Sequence, residues 1–320
     1  MYPEKTLQNA GCFSTDQLFA RYISAKQRMV KASTAETYKY IYNTHIRPEI
    51  GAVPLNELHP ADMQAILDSM SDENYASATI GLTAAILTSM FSYACRCEII
   101  SRSPAILDIP RGRCRKSKTV FTLEQQGIYL RYTAASPLAP LFHLALYTGM
   151  RQGELCALQW QDVDLQNKTI HVRHTIHHQA GESILTTPKT PSSVRDIPLL
   201  PQAAATLERL ARAGDHSPED FVFTINGDTV RKGQISREIT RVLARINADH
   251  PDFPAFTMHT TRHTFATRCI EAGMTPKVLQ KLLGHSSLSV TMDTYVSILD
   301  AEKQRQMNMV SSAFGLPPTE

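Results

Sequence analysis

Between Ser14 and Pro104 apolar residues recur every three or four positions, the spacing of one face of an α-helix. Ser14-Thr15-Asp16 can cap a first helix that carries Leu18, Phe19, Tyr22 and Ile23. Ser33 or Thr34 can cap a second with Tyr38, Ile41 and Tyr42, which Pro48 and Gly51 then end. Pro60 suits the first turn of a third helix (Met63, Ile66, Leu67, Met70). A fourth is expected from Tyr75 to Cys97, with Leu82, Ile86, Met90 and Phe91 turned inward. Together these make a four-helix bundle of about 90 residues, an ordinary domain size.

The stretch DIPRGRCRKSKTV follows, with Arg111, Arg113, Arg115, Lys116 and Lys118 set among small or polar residues and no apolar face. It divides the chain into an expected helical unit over 14–107, a basic linker over 108–120 and a second unit over 121–320. A basic run of this kind reads either as a solvated tether or as a strap that tracks phosphates.

The second unit changes period along its length. Thr122 can cap a helix, another is expected from Pro137 to Tyr147, and a third after Gly149 carries Glu154, Leu155 and Leu158. KTIHVRHTI alternates and is β-rich, and SILTTPK and VRDIPL flank a turn in which Pro191 fits. Helices are expected again near 201–213, 233–248, 261–272 and 276–283, the last opened by Thr275-Pro276 and closed by Gly284. The pattern is therefore mainly α with a small β-sheet: a helical domain followed by a mixed α/β one. No repeat or low-complexity tract interrupts it.

Composition narrows the setting. A chain of 320 residues accommodates two domains of ordinary size. The cysteines Cys12, Cys95, Cys97, Cys114, Cys156 and Cys269 form no CxxC pair and no zinc-ligand spacing, so a reduced, cytoplasmic protein without metal is expected. No signal peptide stands at the start, and no run approaches the roughly 20 apolar residues of a membrane helix. A net charge of +3 says little by itself, because affinity for a polyanion depends on where positive charge gathers.

Beyond the linker, basic residues gather in MHTTRHTFATR, residues 258–268. His259 and Arg262 stand three apart at a helix start and share one side of it, where the helix N-terminus already favours an anion. His263 is rotated about a quarter-turn away; Arg268 lies further on, and Phe265, Cys269 and Ala272 mark an expected buried stripe. Alone, the segment is equally a capped helix whose arginine pairs with a surface carboxylate. TGMRQGELCAL adds Arg151 with Glu154 three residues on, LLGHSS puts His285 directly after a helix-ending glycine, and TMDTY offers Tyr295 ten residues later. Nucleotide and hydrolase signatures (GxxxxGK[ST], GxGxxG, HExxH, GxSxG) are missing.

In order, TGMRQGEL, TPKT, MHTTRHTFAT, LLGHSS and TMDTY resemble the tyrosine recombinase family, in particular the integrases of phages and conjugative transposons. The match spans the second unit, and the first resembles that family's helical core-binding domain. The resemblance implies a site-specific DNA recombinase that cuts and rejoins duplex DNA through a 3'-phosphotyrosyl intermediate. Carried over residue by residue, it makes Arg151 and Arg262 the arginines that grip the scissile phosphate and Lys189, in TPKT, the acid for the departing 5' oxygen. His259 and His285 hydrogen-bond the phosphate and assist proton transfer, Tyr295 is the nucleophile, and Glu154 supports Arg151. It further implies double-stranded attachment sites, a homotetramer on synapsed DNA from a monomeric or weakly associated free protein, and an excision or host architectural factor. The basic run would then cross the duplex and contact phosphates without reading bases.

Elementary chemistry asks for such a set. Attack by a phenol raises negative charge on the nonbridging phosphate oxygens, which fixed guanidiniums stabilise in bidentate fashion, so neither metal nor nucleotide cofactor is expected. A phenol with a pKa near 10 needs nearby cations and a proton acceptor, and the leaving alkoxide needs an acid. A spacing of ten between His285 and Tyr295 resembles the integrase branch. Many such integrases carry an arm-binding domain ahead of the core-binding domain; with thirteen residues before Ser14, that domain is either absent or outside this chain. Two other readings remain open, a type IB topoisomerase-like enzyme and a DNA-binding regulator that keeps the fold without catalysis. The amphipathic tail AEKQRQMNMVSSAF can pack on its own domain or on a neighbour. His171, His174, His177 and His178 receive no role.

Overall fold

The computed structural model describes residues 13–113, 119–179, 182–187 and 191–285, together with Ser287, Met307 and Val310. The chain divides into two compact units, Met1–Ser117 and Lys118–Glu320.

The first unit is helical, as its period requires. Helix α1 (Thr15–Gln27) starts at Ser14, whose hydroxyl accepts from Gln17 N while the Gln17 side chain accepts from Ser14 N, and it buries Leu18, Phe19, Tyr22 and Ile23. Helix α2 (Ala32–Ile41) begins before the expected caps. The turn ahead of it fixes the start, because Met29 N and Val30 N both donate to the Lys26 carbonyl, so Ser33 and Thr34 already lie inside the helix. Pro48 does not end α2. The chain widens into a π-turn over Tyr42–Ile46 and continues as the short α3 (Arg47–Ile50), and a wide turn absorbs the missing proline N–H. Gly51 follows. Helices α4 (Pro60–Asp72) and α5 (Ser77–Arg96) complete the bundle, with Met63, Leu67, Ile86, Leu87, Met90 and Phe91 sealed in its core and Leu82 partly covered.

Helix α5 is the most apolar of the bundle. By length and mean hydropathy it could cross a membrane, although no unbroken apolar run announces it. Its Ile, Leu, Met, Phe and Ala residues raise the mean while Thr, Ser and Gly interrupt the run, and its large side chains form the bundle core.

The start of the basic segment lies along this unit. Gln64 brackets Asp108 with bonds to its N–H (3.0 Å) and carbonyl (2.9 Å), Ser71 donates to the Arg111 carbonyl (2.9 Å), and Arg113 N donates to the Tyr75 carbonyl (2.8 Å). Backbone groups make these bonds, which leaves the Arg111 and Arg113 side chains exposed. Arg115, Lys116 and Lys118 lie outside the described residues.

In the second unit α6 (Leu123–Thr133) starts at a capping box on Thr122, and α7 (Ala139–Thr148) ends at Gly149 in the left-handed conformation, φ 62°. A short α8 (Gln152–Cys156) follows. KTIHVRHTI is two strands rather than one. β2 (Thr169–Val172) joins β1 (Val163–Asp164) and β5 (Arg195–Pro198) in an antiparallel sheet, whereas β3 (Thr175–Gln179) pairs, among the described residues, with β4 (Glu182–Thr186) alone. The alternation runs unbroken through Arg173-His174, so only the change of partner reveals the break. Pro191–Ser193 forms a 3-10 turn before β5. Helices α9 (Pro201–Ala211), α10 (Lys232–Asp249), α11 (Met258–Glu271) and α12 (Pro276–Leu283) stand near their expected places. A small hairpin, β6 (Thr224–Ile225) and β7 (Asp228–Thr229), turns on Asn226-Gly227 and was not expected.

Helix α11 is buried on more sides than its sequence suggested. Thr260, Thr261, Arg262, Thr264 and Thr267 are covered along with Phe265, Ala266 and Ile270. Of the expected stripe, Phe265 is buried, Cys269 is partly covered and Ala272 is exposed. Two of these threonine hydroxyls are satisfied on nearby backbone, Thr261 donating to the Met258 carbonyl and Thr264 to the Thr260 carbonyl while it accepts from Phe121 N, whereas Thr267 Oγ1 is buried without a hydrogen-bond partner.

Candidate functional site

Gly149 ends α7, and its left-handed turn brings the chain through buried Met150 to Arg151, the residue that opens α8. A Cβ at Gly149 would stand 2.5 Å from Phe265 and 3.0 Å from Leu283, so a glycine lets α11 and α12 close on this turn. Glu154, three residues into α8, turns back on Arg151. Its Oε2 accepts from Arg151 N at 2.9 Å and its Oε1 from Arg151 Nη1 at 2.7 Å.

Glu154 is buried, and a second guanidinium covers it from the other side. Arg195 on β5, itself 5 % exposed, donates Nη1 to Oε1 (3.0 Å) and Nη2 to Oε2 (2.8 Å) in a bidentate pair. Burial alone would push the Glu154 carboxyl up, but hydrogen bonding and charge from Arg195, then the charge of Arg151, hold it below the ordinary carboxylate value.

Arg262 projects from the second turn of α11 into the interior and donates to the Gly149 carbonyl (2.7 Å) and the Leu283 carbonyl (2.6 Å). No carboxylate is among these hydrogen-bond partners. Burial first, and then the like charge of Arg151, push its pKa down to about 9, so the site holds a cation that an incoming anion would stabilise.

Three arginines from three elements thus meet the end of α12. Arg195 Nε donates to the Leu282 carbonyl (2.5 Å), Arg262 to Leu283 and Arg151 to Gly284 (2.8 Å). The last carbonyls of a helix have no partners within it and carry its negative end, which accounts for the gathering of cations there. Gly284, at φ 64°, closes the helix, and His285 follows with its N–H on the Gln280 carbonyl and its own carbonyl bonded by the Gln280 side chain. His259 stands exposed in the first turn of α11, with its N–H on Thr257 Oγ1, one turn before Arg262.

Of the residues picked out from sequence, Arg151, Glu154, Arg262 and His285 are therefore brought to one place, and His259 lies on the helix that supplies Arg262. Lys189 and Tyr295 lie outside the described residues, as does most of the chain after His285. Arg268 is structural: it bonds the Phe121 carbonyl (2.6 Å), Gln126 and Glu271. His171 faces Asp196 across β2 and β5 on an exposed surface.

Sequence reasoning missed Arg195. A signal existed, since Arg195 and buried Ile197 are two apart on one strand and so share its inward face. A guanidinium on that face requires a buried partner, which Glu154 supplies. Three guanidiniums against one carboxylate leave positive charge in excess beside a turn that is buried at Gly284 and partly covered at His285, an arrangement suited to an oxyanion.

Comparisons with known proteins identify the family. Residues 122–302 match the phage integrase family, and residues 16–71 match the SAM-like N-terminal domain of phage integrases. The transposase of transposon Tn916 from Enterococcus faecalis is 27 % identical over 305 residues, covering 87 % of this chain and 73 % of the transposase. A XerC-like tyrosine recombinase of Caldanaerobacter subterraneus is 25 % identical over 313 residues, covering 89 % of this chain and 79 % of the relative. In fold, the chain is similar to the Tn1549 transposon integrase solved in complex with a circular intermediate DNA, with a TM-score of 0.79 at 24 % identity over 92 % of this chain and 99 % of that one. With the family matched over more than half its length, the chain belongs to the phage integrase family and is a tyrosine recombinase.

Proposed function

We propose that Arg151, Lys189, His259, Arg262, His285 and Tyr295 are the catalytic residues of a recombinase that integrates and excises a mobile element at double-stranded attachment sites. One observation carries the reading: Arg151 and Arg262 both bind the turn at Leu283 and Gly284 that leads into His285. A scissile phosphate seated there would receive guanidinium donors from two sides, in addition to the carbonyls those guanidiniums already hold. Tyr295 attacks the phosphorus as its phenolic proton passes to a site histidine, the 5' oxygen leaves with a proton from Lys189, and the 3'-phosphotyrosyl bond conserves the phosphodiester for rejoining. His259 and His285 bond the nonbridging oxygens and assist proton transfer, while Glu154 holds Arg151. The roles of Lys189 and Tyr295 rest on TPKT and TMDTY.

On this reading residues 14–107 form the core-binding domain and 121–320 the catalytic domain. The segment over 108–120 presents Arg111, Arg113, Arg115, Lys116 and Lys118 to the phosphates of the duplex, where salt should weaken binding. The partners are synapsed attachment sites, three further copies of the chain, and an excision or host architectural factor, in the cytoplasm where the DNA lies.

The test uses nicked suicide duplexes tiled across the DNA that flanks the gene. The wild-type chain should become covalently attached to one of them, and Tyr295→Phe should bind that duplex without attachment. An adduct that persisted in Tyr295→Phe would overturn the assignment of the nucleophile.

A further inference from the structure

Arg195 belongs to none of the motifs from which the site was read, yet it binds both Glu154 and the end of α12. Its guanidinium meets the Glu154 carboxylate edge to edge, with Nη1 and Nη2 each on a separate oxygen, while Nε holds the Leu282 carbonyl and Nη1 also reaches the Ser193 carbonyl at 3.1 Å. The side chain fills the space against Gly284, where an added Cβ would stand 3.1 Å from Nη1 and 3.2 Å from Cδ. Glu154 in turn grips Arg151 through both backbone and side chain.

We infer that Arg195 is a positioning residue for the phosphate site proposed above, fixing Arg151 through Glu154 and the turn before His285 through the Leu282 carbonyl. The inference rests on that reading of the site. The chemistry of the guanidinium makes the role specific to arginine. One rigid planar group spans a carboxylate and a carbonyl that belong to two different helices, α8 and α12, and so sets the distance between the residues those helices carry. A lysine keeps the charge but is a point donor on a flexible stem, able to serve Glu154 or Leu282 without fixing one relative to the other. The Arg195 side chain is buried, so it acts on the reaction through Arg151 and His285 and not by touching DNA.

The experiment compares the wild-type chain with Arg195→Lys on the suicide duplex that the wild type cleaves. The dissociation constant is measured separately from the single-turnover rate of adduct formation, at saturating protein and at a temperature where circular dichroism shows both chains folded. The duplex should bind Arg195→Lys within about threefold of wild type, because the phosphate contacts that dominate affinity are untouched. The adduct should form more slowly by tenfold to on the order of a hundredfold, the loss expected when reacting groups are displaced by about an ångström. A cleavage rate within about twofold of wild type, with only the thermal midpoint lowered, would make Arg195 a stabilising ion pair and nothing more. Binding and rate falling together in the folded chain would also overturn the inference. Should Arg195→Lys not fold, Arg195→Gln, which keeps an N–H donor without the fork, is read by the same two measurements. A wild-type chain that forms no adduct on any duplex strikes the reading of the site itself, whereas equal cleavage by wild type and variant strikes only the role of Arg195.

Discussion

Replacing Glu154 with glutamine changes one atom in the buried centre of the site, and the structure sets the size of the effect. The carboxylate accepts four hydrogen bonds, two at each oxygen: Arg151 Nη1 and Arg195 Nη1 at Oε1, Arg151 N and Arg195 Nη2 at Oε2. A glutamine amide placed either way keeps one oxygen and turns an NH2 group toward two N–H donors, so two bonds are lost in both orientations. Bonds to a charged group contribute about 1.5–3 kcal/mol each, and breaking a buried ion pair from one side costs about 3–5 kcal/mol. The two routes agree on about 3–5 kcal/mol, because Arg195 is left buried with its carboxylate gone. For a unit of this size, each kcal/mol moves the thermal midpoint by about 2–4 °C, giving a fall of roughly 6–20 °C in Glu154→Gln. Thermal unfolding of the whole chain, followed by circular dichroism at pH 7 in parallel with wild type, measures it. A loss below about 1 kcal/mol would refute the claim that this carboxylate holds the two arginines together.

The same pair makes a prediction about pH. Because the folded Glu154 carboxyl sits below its ordinary value of 4.5, its stabilisation is complete above that value and disappears as pH falls through the lower folded one. The stability gap between wild type and Glu154→Gln should therefore be constant from pH 7 to about 5 and close in more acid solution; a gap that widened there would contradict the assignment. Gly284→Ala should lower stability by about 1–2 kcal/mol for the left-handed backbone alone. The added methyl also meets Arg195 at 3.1 Å, so adduct formation should slow with it; an alanine variant as stable and as fast as wild type would show that the turn tolerates a side chain.

Periodicity alone placed the long helices, since burying one face of a helix leaves a mark every three or four residues that needs no knowledge of what covers it. Leu18, Met63, Leu67, Met90 and Phe91 were legible as core for this reason, and Gly149 and Gly284 as helix ends, because a left-handed turn favours glycine whatever surrounds it. Order and spacing of short boxes likewise carried the resemblance and four of the residues that now stand together. Pairing was not legible: the one alternating run at 168–176 belongs to two sheets, and alternation records which face is covered without naming the partner strand. Arg195 was lost the same way. On its strand it is one inward residue of ordinary appearance, and its meaning depends on Glu154, 41 residues earlier, and Leu282, 87 residues later. The sequence by itself determined which residues are present and which local shapes they take. Only the tertiary structure decided that three guanidiniums converge on three successive carbonyls, because a buried charge is permitted only where distant parts of the chain supply its partners.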